Sequence, residues 1–97
     1  MPEYPFDAAT LLPLLKIDLC ITASVYDDRL KDRINVAQAR IASMGITLTA
    51  TEADRDLVLM FAAWLWSSRM TGDPMGRMLQ QALNNRLIGQ TARGAAT

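Results

Sequence analysis

The chain has 97 residues, 51% of them hydrophobic, and its ten Lys and Arg balance ten Asp and Glu. This is material for one domain, residues 1–97, with enough apolar side chains for a core. A single cysteine and no histidine exclude an internal disulfide and a Cys/His zinc site, and the even charge argues against the basic footprint of a free-standing DNA-binding domain.

Residues 1–9 read as an extended arm. Pro2 and Pro5 disfavour helix there, and the acids and prolines of MPEYPFD stand where a secretory leader would carry a basic and then an apolar stretch. Thr10 is a candidate N-cap with Pro13 in the first turn, predicting a short apolar helix over 11–20 that includes Leu11, Leu12, Leu15 and Leu19. Cys20, between Leu19 and Ile21, reads as a small buried hydrophobe, and an unpaired cysteine fits an intracellular setting.

Ser24 followed by Asp27 has the spacing of a capping box and predicts a helix over 25–44. Tyr26, Leu30, Ile34, Ala37, Ile41 and Met44 recur at steps of three and four, the clearest amphipathic stripe in the chain, and Gly45 suits a left-handed stop. Arg29, Lys31, Asp32, Asn35, Gln38 and Ser43 read as the solvated face. After an extended linker at 46–51, Thr51 and Asp54 repeat the capping spacing and predict a helix over 52–70.

This helix holds the longest apolar run and both tryptophans. Leu57, Val58, Phe61, Trp64 and Leu65 fall on one side; Leu59, Ala62, Ala63, Trp66 and Met70 fall on the other. The first side, together with Leu30, Ile34 and Ile41, is expected to form the core. An apolar helix with two faces needs two covers: the second side is either enclosed by its own domain, as in a central core helix, or is the candidate subunit interface.

Asp73-Pro74 reads as a cap followed by proline at the first helical position, predicting a tight corner and a fourth helix over 74–87. Arg86 lies near the centre of its apolar face, either snorkelling to solvent or bridging to an acid on a partner. Residues 88–97 are expected to be a flexible tail. The fold expectation is all-α: a small four-helix bundle with a central two-faced helix, an N-terminal arm and a C-terminal tail. No membrane span is expected, because the apolar run is too short.

Catalytic signatures are missing: no histidine base, no G-x-S-x-G, no phosphate-cradling glycine loop. The acids at 27–28 and 52–56 sit in first turns, where capping accounts for them. The expectation is a non-enzymatic binding or structural protein without metal or cofactor.

The ordered groups Leu14-Leu15-Lys16-Ile17-Asp18-Leu19, Tyr26-Asp27-Asp28-x-Leu30 with Ile34 and Ala37, Ile41 to Gly45, Ala62-Ala63-Trp64-Leu65-Trp66 with Arg69, Met78-Leu79 and Leu83-Asn84-Asn85-Arg86 span about residues 11–88. In this order they resemble the head-tail connector proteins of tailed double-stranded DNA phages and prophages, also called adaptor or head-completion proteins. The resemblance implies a helical bundle forming a homo-oligomeric ring below the portal, a dodecamer being the number the family suggests. It implies as partners the portal protein, a downstream head-completion or tail protein, and double-stranded DNA that passes without sequence-specific binding. It also implies a place at the head–tail interface of a virion assembled in the bacterial cytoplasm. Arg77, Arg86, Ile88 and Arg93, in the last helix and tail, are the docking candidates. The competing expectation is a small dimeric helical regulator or toxin–antitoxin-type module.

Overall fold

The computed structural model describes residues 4–69 and 71–95, with side chains through residue 91. It is an all-α four-helix bundle, with α1 at Ala8–Asp18, α2 at Asp27–Ser43, α3 at Glu52–Ser68 and α4 at Arg77–Ala95. The first three helices pack on one another, whereas α4 packs chiefly on α3. The body is elongated, 47 × 27 × 23 Å.

α1 starts earlier than Thr10 predicts. Asp7 is the cap, its Oδ1 accepting from the Ala9 amide at 3.2 Å. Starting there places Ala8, Leu11, Leu12 and Leu15 on one buried stripe, so packing selects Asp7 over an equally competent Thr10. Pro13 consequently lies inside the helix rather than in its first turn.

α1 ends in a Schellman motif. The Cys20 amide donates to the Ile17 carbonyl at 3.1 Å and the Ile21 amide to the Lys16 carbonyl at 2.9 Å. Cys20 takes the left-handed position of that motif, with φ 58°, and is exposed; the expected buried thiol is instead a turn residue.

α2 also departs from its predicted cap. The Ser24 carbonyl accepts from the Asp27 amide at 3.1 Å, but Tyr26 is the flanking residue and no side chain caps the helix. The Tyr26 ring meets Trp66 edge-on at 5.3 Å between centroids, and Asp27 pairs with Lys16 at 2.8 Å. These contacts tie the segment to α3 and α1, and they outweigh the local capping preference of Ser24. Gly45 does stop α2, with φ 95°.

α3 begins where Thr51 predicts, its hydroxyl accepting from the Asp54 amide at 3.3 Å. Leu57, Val58, Phe61 and Leu65 are buried, and so are Leu59, Ala62 and Trp66. Both sides are covered by the protomer's own helices, since α3 contacts α1, α2 and α4.

α4 begins at Arg77 rather than Pro74, and the predicted tight corner is a longer connection at 69–76. That connection is held away from helix. The Trp64 indole N–H donates to the Asp73 carbonyl at 3.3 Å, Gln80 Nε2 donates to the Met75 carbonyl at 3.0 Å, and Met75 packs against the core. The first helical bond runs from the Gln80 amide to Gly76. At its far end α4 continues through Ala95, where an irregular tail is predicted from Ile88.

Candidate functional site

Two polar constructions stand out from this apolar frame. The first is centred on Asp54, whose residue exposure is 1%. Arg86 Nε donates to its Oδ1 at 2.7 Å and Arg86 Nη2 to its Oδ2 at 3.1 Å, a bidentate pair between α3 and α4. The Thr49 amide and hydroxyl donate to Oδ2 at 2.8 and 2.9 Å. Arg86 Nη2 also reaches the Thr47 carbonyl at 2.8 Å. Gln90, one turn further along α4, accepts from the Thr47 amide at 2.7 Å and donates to the Gly45 carbonyl at 2.9 Å. These two amide bonds, and Thr91 Oγ1 donating to the Leu87 carbonyl, carry α4 past the predicted helix end.

Burial pushes the Asp54 carboxyl up, but the hydrogen bonds from Arg86 and Thr49 and the adjacent guanidinium charge outweigh it and hold the group below its ordinary range. The hydrogen bond to Asp54 raises Arg86 against the opposing effect of burial. This arrangement binds three parts of one chain together. Arg86 therefore finds its acid within the protomer, not on a partner.

The second construction is a concavity of about 190 Å³ between the start of α2 and the end of α3, lined by Arg29, Asp32, Arg33, Trp66 and Arg69. Antiparallel packing of α2 on α3 brings these ends together. The Arg69 guanidinium carbon lies 3.7 Å from the Trp66 ring centroid, a cation–π stack, and its Nη1 donates to the Trp66 carbonyl. Arg33 pairs with Asp32 at 2.5 Å. Arg29 is exposed and has no ion-pair or hydrogen-bond partner among the described residues. Tyr26, whose ring meets Trp66 of this pocket, and Val25, 77% exposed, immediately precede α2.

The remaining positions singled out in the sequence are dispersed. Leu59, Ala62 and Trp66 are 6%, 0% and 7% exposed, so in this fold they offer a neighbour no open face; Ala63 is half-buried and Met70 lies outside the described residues. Trp64, expected in the core, is half-buried and packs against it, its ring edge-on to Phe61 at 5.6 Å between centroids, so Trp66 is the more deeply buried of the two tryptophans. Leu30, Ile34, Ile41, Leu57, Phe61 and Leu65 are buried. Of the docking candidates, Arg77 and Ile88 are exposed, Arg86 is engaged internally, and the Arg93 side chain lies outside the description.

Sequence reasoning missed the Asp54 pair, Gln90 and Gln38. Gln38, placed on the solvated face, is fully buried; its amide accepts from the Phe6 N–H at 3.2 Å and donates to the Phe6 carbonyl at 3.0 Å. Its position four after Ile34 and three before Ile41 was the available signal, since it borders the apolar stripe.

A groove of about 430 Å³ between the N-terminal arm and residues 45–48 has no charged lining. Among the described residues no group of three or more His, Cys, Asp or Glu could hold a metal ion, and no helix is long and apolar enough to cross a membrane. No family model, curated protein or solved structure matches the chain.

Proposed function

We propose that this chain is a structural assembly protein of the phage head-tail connector type, forming a homo-oligomeric ring that adjoins the portal and continues the DNA channel toward the tail. One observation supports this reading above the others. The residue groups that carry the resemblance fall on all four helices and their caps, and they include the residues that join those helices: Lys16 with Asp27, Tyr26 with Trp66, and Arg86 at the α3–α4 contact. In this reading the protein acts by presenting surface, works without catalysis, and resides at the head–tail interface of a virion assembled in the bacterial cytoplasm. A chain of zero net formal charge suits a conduit through which DNA must slide.

The test is native mass spectrometry of the protein with and without a tailed-phage portal oligomer encoded beside it. A closed ring, alone or in stoichiometric complex with the portal, supports the proposal. A compact dimer indifferent to the portal overturns it and favours the small-regulator reading.

A further inference from the structure

The arginine pocket around Trp66 is unabsorbed by the protomer's own packing. Three guanidiniums line it against one carboxylate, and that carboxylate, Asp32, already faces Arg33. Arg69 is oriented by its stack on Trp66 and by one bond to the Trp66 carbonyl, which leaves further N–H donors of its planar fork available. Arg29 has all of its donors available. Such a pocket calls for a carboxylate.

The same helix that ends at this pocket begins with exposed acids. The side chains of Glu52 and Asp56 are 82% and 61% exposed, and among the described residues the one ion-pair partner of each is Arg55, at 3.5 Å. The helix between them, Glu52–Ser68, separates the pocket residues Trp66 and Arg69 from Glu52 by about 21–26 Å and from Asp56 by about 15–20 Å along its axis. They cannot reach the pocket of their own protomer. Apolar surface accompanies each end: exposed Val25 and Tyr26 at the pocket, and at the acids a groove of about 170 Å³ that includes Asp56, Leu57 and Met60.

We infer that the pocket of one copy receives Glu52 and Asp56 of a second copy, making a head-to-tail contact in which Arg29 and Arg69 hold the carboxylates and Val25 packs toward the groove beside Met60. Such a contact uses different surfaces on its two sides, the kind that closes into a ring. Arginine and tyrosine, exposed here as Arg29, Arg69 and Tyr26, are residue types that dominate interface energetics, and buried Trp66 supports them from beneath by holding Arg69 in place. The inference rests on the ring reading for its biological setting and adds the residues that form the joint. Nucleic acid fits the pocket less well, because Asp32 lies within it and the chain has no net positive charge.

The experiment is sedimentation velocity on the intact chain across a concentration series, with Arg29→Glu, Arg69→Glu and the double variant Glu52→Lys/Asp56→Lys. Arg29 has no partner to lose on substitution, so its variant should fold normally, which circular dichroism will verify. Each reversal should weaken self-association by roughly tenfold or more. Mixing Arg29→Glu with Glu52→Lys/Asp56→Lys should restore a mixed pair. Association unmoved by the reversals, or absence of association both alone and on the portal, overturns the inference. So does duplex DNA that binds the wild type and is lost with Arg29→Glu. The same variants mixed with the portal separate the two claims: a ring that forms regardless of these charges leaves the connector reading standing and removes this joint.

Discussion

Cys20 shows what a single residue can cost when its backbone is set by its neighbours. The Schellman turn after α1 demands a left-handed residue, and an L-side chain there costs about 1–2 kcal/mol that glycine avoids. Cys20→Gly should therefore stabilise the protein by about 1 kcal/mol, visible as a higher urea midpoint. Asp54 represents the opposite case, a residue stabilised by everything around it. Removing either partner alone leaves a buried charge, so Asp54→Asn and Arg86→Met should each cost about 3–5 kcal/mol, while Asp54→Leu with Arg86→Met should cost less than either. Because its carboxyl titrates lower folded than unfolded, the Asp54 contribution is complete above about pH 4 and declines as pH falls through the folded value. Urea midpoints should fall in wild type over that acid range, and the fall should be shallower in Asp54→Asn.

At the scale of elements, long apolar stripes could be read from the chain and exact boundaries could not. Leu30, Ile34, Ala37 and Ile41 repeat over several turns, so many residues vote for one helix and its buried side. A boundary depends on one or two side chains, and here tertiary contacts decided between rivals: Asp7 over Thr10 to bury Ala8, Tyr26 over Ser24 to meet Trp66, and Gly76 over Asp73 to seat Met75. The C-terminal turns of α4 have little apolar periodicity, and their order depends on Gln90 reaching residues more than forty positions away. Gln38 has the same kind of long reach toward the arm. Gln38→Ala should destabilise the fold by about 1–3 kcal/mol, because two backbone groups of Phe6 lose their partner. Amide exchange at Phe6 should rise by more than exchange in α3; equal changes at both would show that the arm is held by other means.

For the whole molecule, the sequence made the four-helix class legible because caps, dipole-favoured acids and periodicity agreed. It left the candidate surfaces obscure because burial of a two-faced helix has two solutions, a neighbour or a fourth helix of its own. The arginine pocket was hidden for a related reason: Arg29 and Arg33 belong to α2 and Arg69 follows α3, and nothing local announces that they converge. The unequal burial of the two tryptophans gives a direct check. Trp66→Ala should lower stability by about 3–5 kcal/mol, and half-buried Trp64→Ala by less, as read from chemical denaturation.

The connection between α4 and the remainder has a kinetic corollary. α1, α2 and α3 all pack on one another, while α4 packs mainly on α3 and is fastened to the 45–49 segment by side chains from distant positions. The expected outcome is that the first three helices fold as one unit and α4 docks in a separate step, which native-state hydrogen exchange will check as lower protection in α4 than in α2 and α3. Detachment of that one helix, ahead of global unfolding, is the opening through which solvent, proteases or a swapped α4 from another copy would enter.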